Sequence, residues 1–171
     1  MQPVKWIATL IALTGCRVAI DEPASYSTKQ ACKKLDLEVC NAAEGRSDYH
    51  FIWEKILSTN CVGSGCHEAG STDKNAEKIR FDDFDLAYST IFGVDSRIRT
   101  DLKIIEPGNP NASYMLFLMQ AVPADQFEPA SGLPITDPPE DVGFMPRSNG
   151  ALCCQKLDAV KEWVTNGALK D

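Results

Sequence analysis

Histidine is the scarcest chemistry-bearing residue in this chain: only His50 and His67 occur among 171 residues. No G-x-S-x-G elbow and no paired-glycine phosphate loop is present either. A hydrolase reading therefore has little behind it. Positive charge is also short, with 17 Lys and Arg against 24 Asp and Glu and a formal net charge of −7. Such an acidic surface argues against nucleic acid as a partner and admits a basic protein partner. No stretch alternates apolar and polar residues over a useful strand length, and no internal repeat is visible. The apolar run near the N-terminus, Trp6 to Leu13, is too short to span a bilayer comfortably.

That short run has a different use. Lys5 precedes it and Leu13-Thr14-Gly15-Cys16 follows, the cationic, apolar and small-residue order of a secretory signal. A buried first helix is the alternative, and the residue order favours the signal. Leu13-Thr14-Gly15-Cys16 also resembles the bacterial lipobox, whose cysteine is acylated and becomes the first mature residue. The resemblance implies a lipid on Cys16 and attachment to a membrane face, since several acyl chains on one residue anchor stably. Arg17, rather than Asp, at the next position fits sorting to the outer membrane by analogy. Residues 1–15 are thus expected to be a signal, residues 16–47 a tether, and residues 48–171 the folded domain. Removing the signal takes away Lys5, its only charged residue, and leaves the remainder one unit more acidic.

Seven cysteines are many for a small chain, and in an exported protein they are expected to form disulfides. Setting aside Cys16 leaves Cys32, Cys40, Cys61, Cys66, Cys153 and Cys154. If Cys61 and Cys66 serve another purpose, the other four allow three connectivities that spacing does not resolve. A bridge between the adjacent Cys153 and Cys154 is disfavoured, because neighbours sit closer than bridged Cα atoms prefer. Two bridges tying the 32–40 segment to the 153–154 segment are easier geometrically.

The remaining pattern is one of short helices joined by long polar connections. A helix is expected to start after Ser47 or Asp48, with Ile52, Trp53, Ile56 and Leu57 on one face, and to run into Cys61. In "FDDFDLAYSTIFG", Asp83 caps a second helix, Phe84, Ala87, Tyr88 and Ile91 form its stripe, and Gly93 stops it. "EPGNPNASYMLFLMQ" predicts a third, with Asn109 as cap, Pro110 in the first turn, and Ala112, Met115, Leu116 and Met119 as its stripe. A loop rich in Pro and Gly follows. The last helix carries Leu157, Val160, Trp163 and Val164, with Gly167 at its C-terminal end. The expected fold class is all-α, small and loop-rich.

The stretch "CVGSGCHEAG", residues 61–70, sets two cysteines four residues apart with a histidine directly behind the second. Cysteines so placed suit covalent haem, because each thiol adds to one vinyl group and the adjacent histidine is held beneath the ring to bind iron. The usual spacer has two residues. The longer Val62-Gly63-Ser64-Gly65 must bulge away from the ring, and its two glycines make that bulge inexpensive in backbone strain. Met145, in "GFMPR", lies on no helical stripe and is the candidate for the opposite iron face, since Met/His ligation suits electron transfer. Met115 and Met119 sit on a stripe and are assigned to packing.

On these residues the span from about 48 to 169 resembles the c-type cytochrome domains of bacterial lipoproteins, within them the branch with a lengthened C-x4-C-H motif. "ILSTNCVGSGCHEAG" is similar to the family's helix-then-motif entrance, and "FDDFDLAYSTIFGVDSR" and "EPGNPNASYMLFLM" to its middle segments. "MPRSNGALCCQKLDAVKEWVTNGA" is similar to its Met-Pro loop and closing helix. The resemblance implies a cytochrome c-like fold of short helices around one covalent haem c, with thioether bonds at Cys61 and Cys66. It also implies His67 as proximal and Met145 as distal iron ligand. Trp53, Ile56, Leu116 and Trp163 are expected to form the apolar shell around the group, with Trp163 packing against Trp53 or Ile56. One departure stands out: Cys153-Cys154 occupies the start of the last helix, where the family places Ser or Thr. Cysteine caps poorly, which supports bridging by at least one of the two.

The expected function is a membrane-anchored, monohaem electron carrier on the periplasmic face of a bacterial membrane, with a protein redox partner, rather than a catalyst. The alternative is a disulfide-stapled, non-haem lipoprotein in which Cys61 and Cys66 bridge and His67 faces solvent, serving as a binding or structural module. Zinc ranks behind both, because Cys61, Cys66 and His67 lack a fourth ligand. His50 as a replacement ligand ranks behind an exposed helix residue. The Asn111-Ala112-Ser113 sequon is read as chance. The Asp82, Asp83 and Asp85 cluster is read as a charged helix start rather than a calcium loop.

Overall fold

The computed structural model describes residues 32–63, 66–71, 78–129, 131–132, 135, 137–139, 142–147 and 151–171. The expected signal, the expected lipidation site Cys16 and the first half of the expected tether lie outside them. The described residues form six short α-helices, one π segment and one short 3-10 turn, and their only β pairing is in isolated bridges. None of their helices is long and apolar enough to cross a membrane.

α1 (Glu38–Asn41) is a single turn that buries Cys40. The entrance helix begins at Asp48, whose carboxylate accepts from the Phe51 N–H at 2.9 Å. It is not uniform. α2 (Tyr49–Ile52) passes into a π segment (Trp53–Leu57) and then into α3 (Ser58–Asn60), where Cys61 ends it. Sequence periodicity gives no sign of the π segment, because one extra residue in a turn leaves Ile52, Ile56 and Leu57 all buried. α4 (Phe84–Ile91) starts where expected: Asp83 accepts from the N–H groups of Asp85 and Leu86, two donors a helix start leaves unpaired. Gly93, at φ +65°, allows the left-handed turn that leads away from it.

The third expected helix is corrected. Pro110–Ala112 is only a 3-10 turn, and Asn109 makes no side-chain cap. Ser113 is extended (φ −89°, ψ 107°), and α5 (Tyr114–Leu118) begins after it. The buried Ser113 hydroxyl explains the break. It accepts from the Glu106 N–H and donates to the Asn109 carbonyl, competing with helical backbone pairing. The stripe Ala112, Met115, Leu116 and Met119 is nevertheless buried throughout.

α6 (Cys154–Thr165) is the longest helix, and its face of Leu157, Val160, Trp163 and Val164 is buried. Cys153 supplies no side-chain cap, and its sulfur is paired instead. Cys32 is bridged to Cys154 and Cys40 to Cys153, with Cα separations of 5.0 and 6.3 Å. Both bridges therefore tie the 32–40 segment to the start of α6. Hydrogen bonds reinforce them: Cys154 N–H donates to the Lys33 carbonyl, while the Gln155 amide donates to the Leu35 carbonyl and accepts from the Leu35 N–H.

Trp163 and Ile56 lie in the same buried core, and among the described residues the aromatic partner of Trp163 is not Trp53. Trp163 stacks on Tyr49, centroids 5.3 Å apart, and donates its indole N–H to the Leu169 carbonyl.

The Cys40–Cys153 bridge closes a loop of 113 residues in sequence separation. Replacing both cysteines by serine is expected to lower the unfolding free energy by about 2–4 kcal/mol, read from urea denaturation monitored by tryptophan fluorescence.

Candidate functional site

The site begins where the entrance helix runs out. Cys61 N–H still donates to the Leu57 carbonyl at 3.0 Å, and then the chain turns. Gly63 takes φ +98°, a region in which a side chain would be strained, and its carbonyl accepts from Cys66 N–H at 3.1 Å. Gly63 is thus one of the two spacer glycines expected to relieve backbone strain; the other, Gly65, lies outside the described residues. His67 N–H returns to the Cys61 carbonyl at 3.2 Å, so both cysteines and the histidine are gathered on the helix end.

The His67 ring is held from outside the motif. Its Nδ1 lies 3.1 Å from the Ile79 carbonyl oxygen. A carbonyl only accepts, so Nδ1 carries the proton and, in the neutral ring, the lone pair sits on Nε2. That is the tautomer a metal-binding imidazole needs, and a donated Nδ1–H makes Nε2 more basic. Phe81 packs its ring 4.9 Å from that of His67, and its N–H donates to the His67 carbonyl at 2.8 Å. One residue further, Asp82 accepts from the Ala69 N–H and forms a two-pronged pair with Arg80. The Arg80 guanidinium holds the Asp82 carboxyl well below its usual range, at about 2.

Cys61 and Cys66 are both partly buried thiols outside the two bridges. Loss of hydration and the neighbouring Cys66 push the Cys61 thiol up to about 12, against the opposing field of Lys156. Lys156 lies on α6, 6% exposed, and burial lowers its own pKa. At neutral pH Cys61 therefore stays a thiol.

Met145 is positioned independently, through α5. Its N–H donates to the Leu118 carbonyl at 2.8 Å, and the adjacent Phe144 ring meets Phe117 at 5.9 Å. Its side chain is half-buried. Of the expected apolar shell, Ile56, Leu116 and Trp163 belong to the fully buried core, and Trp53 is half-buried against it. His50 is exposed beside Glu54. In the acidic cluster, Asp83 caps α4 and Asp85 pairs with Lys170, while Asp82 braces the loop after His67 rather than the helix. Among the described residues, no three metal-ligating side chains converge. A haem iron does not require such a group, since the porphyrin supplies its equatorial ligands.

Ile79, Phe81 and Lys156 were not legible as site residues. Ile79 acts through a backbone oxygen, which carries no sequence signal, and Lys156 reads as a surface lysine until α6 is placed.

No protein-family model, no curated protein and no solved structure matches this chain.

Two outcomes follow for the protein without a prosthetic group. Alkylation of Cys61 by iodoacetamide, mapped by peptide mass, is expected to be slow near pH 7 and to accelerate as pH rises towards about 12. The Asp82 carboxyl is depressed on folding, so its contribution is complete above its ordinary value of 3.8. It is lost as pH falls to about 2. Amide exchange at Ala69, followed by NMR, is expected to lose protection across that same interval.

Proposed function

We propose that this chain is an exported, lipid-anchored c-type cytochrome, a monohaem electron carrier. Cys61 and Cys66 would hold the haem by thioether bonds, and His67 and Met145 would bind its iron. The observation that carries this reading is the His67 Nδ1–H bond to the Ile79 carbonyl, which puts the ring's lone pair on Nε2 in a residue whose own N–H returns to the Cys61 carbonyl. The donor set fits the group: two adjacent thiols for the vinyls, one oriented imidazole and one thioether on a separately anchored loop.

A bound haem supplies a one-electron iron couple. The chain's own residues do the rest. Ile79 and Phe81 fix the imidazole so that little rearrangement accompanies a change in charge. The buried Ile56 and Leu116 keep water from the proximal helix and from α5. A Met145 thioether bound to the iron would keep substrates from it, so the role is transfer rather than bond chemistry. The lipid on Cys16 tethers the domain to the periplasmic side of a bacterial membrane, at the outer membrane by the analogy with Arg17. The acidic surface suits a basic redox partner.

The second reading is a stapled binding or structural module, in which Cys61 and Cys66, both outside the two bridges, lose two electrons and two protons to a thiol oxidant of an exported compartment and form a third.

Expression with a haem-maturation system separates the two. The carrier is expected to show one added haem by intact mass, sharp alpha and beta bands when reduced, and pigment that survives acid–acetone extraction. A colourless product with a Cys61–Cys66 bridge overturns it. Met145→Ala is expected to abolish the sulfur-to-iron absorption at the red edge of the oxidised spectrum while leaving the pigment attached; persistence of that band removes Met145 from the ligand set.

A further inference from the structure

The π segment has a geometric effect on the site. In an uninterrupted α-helix, Trp53 and Cys61, eight residues apart, point about 80° away from each other around the axis. Within the π segment, Ser58 N–H donates to the Trp53 carbonyl, five residues back, which absorbs one residue into the turn. The two side chains then differ by only about 20°, two turns apart on one face. Trp53 is thereby aimed at the same chain segment that returns to the His67 motif.

What Trp53 does there is specific. Its indole N–H donates to the Phe81 carbonyl at 3.0 Å. The same residue's N–H donates to the His67 carbonyl at 2.8 Å, and two residues earlier the Ile79 carbonyl receives the His67 ring proton. Residues 79–81 therefore form a short splint, with one edge on His67 and the other pinned to the entrance helix by a single indole. Phe84 also meets the Trp53 ring edge-on at 5.3 Å, a packing contact separate from the indole N–H bond to Phe81.

We infer that Trp53 is a positioning residue for the proximal ligand, its indole N–H holding the 79–81 splint so that the Ile79 carbonyl stays in register with His67 Nδ1. Its effect on a haem potential rests on the carrier reading above; its effect on the His67 ring does not. A donated Nδ1–H strengthens the imidazole as a donor, which stabilises ferric over ferrous iron. Loss of the indole N–H slackens that bond and favours the ferrous state.

The test uses the mature full-length protein with Trp53→Phe. Haem content by intact mass is expected to be unchanged, and the midpoint potential is expected to rise. The expected size is about a tenfold shift in the reduced-to-oxidised ratio, roughly 59 mV for a one-electron couple. In the haem-free protein, histidine nitrogen NMR is expected to show the Nδ1–H tautomer at His67 in the parent and a mixture of tautomers in Trp53→Phe. Phe84→Leu, which removes ring contact but keeps the indole, is expected to lower stability without moving either readout. Where Trp53→Phe does not fold, benzothienylalanine at position 53 exchanges only the N–H for sulfur and is expected to reproduce both shifts. An unchanged potential and an unchanged tautomer in a folded variant overturn the inference, as does an equal shift in Phe84→Leu. Absence of haem in the parent sinks the carrier reading alone, since the tautomer measurement still decides the role of Trp53.

Discussion

Tyr49 is the constraint on which the rest of the arrangement depends. It is fully buried, and its ring meets Phe84, Tyr88 and Trp163 at centroid distances of 5.0, 5.1 and 5.3 Å. One side chain thus joins the entrance helix, α4 and α6. Its hydroxyl donates to the Phe84 carbonyl, and its backbone N–H, at the start of α2, donates to the Asp171 carboxylate. Burial pushes the phenol's pKa upward, so it remains a neutral donor at any ordinary pH. Aromatic contacts of this kind add about 0.5–1.5 kcal/mol each beyond burial. Because they converge on one ring, they fix the crossing of the first and last helices, and with it the direction in which Cys61 emerges.

From that crossing the two ends of the domain are secured differently. At the start of α6 the fastening is covalent, through two bridges and the Gln155 amide clamp on Leu35. At its far end it is non-covalent: Tyr88 donates to the Ala168 carbonyl and Trp163 to that of Leu169, while Lys170 pairs with Asp85 above the Phe84 and Tyr88 rings. Between these fastenings lies the motif loop, held in part by backbone hydrogen bonds of His67 to Cys61 and of Phe81 to His67. The frame is fastened at both ends of α6, and in the proposed carrier the loop between is the part that would hold the haem.

Several parts of this were readable in the residues. Asp48 and Asp83 announce helix starts because a short carboxylate satisfies amide donors that no helix can pair internally. The stripes of α4 and α6 follow from the 3.6-residue period, and the pairing of the 32–40 segment with Cys153 and Cys154 follows from the strain of joining neighbours. The clustering of Cys61, Cys66 and His67 is local chain geometry. Other parts were not readable. The length of the third helix turned on a buried Ser113 hydroxyl that competes with the backbone, a choice made by its surroundings. Tyr49 drew no notice as a single aromatic residue at a helix start, and Asp82 looked like one more acid before α4.

The order of residues by itself determined the short capped helices, the local gathering of two thiols and an imidazole, and the acidic balance of the chain. These depend on neighbours within a few positions, where bond geometry and hydrogen-bond valence leave few options. Only the tertiary structure decided which nitrogen of His67 carries its proton, that a π turn swings Trp53 toward the returning chain, and that the charge of a buried Lys156 on α6 acts on the Cys61 thiol. Each of these depends on a carbonyl, a helix phase or a buried charge supplied by chain far away in sequence. Such partners become visible only once the packing of Tyr49 and Trp163 has set the distances.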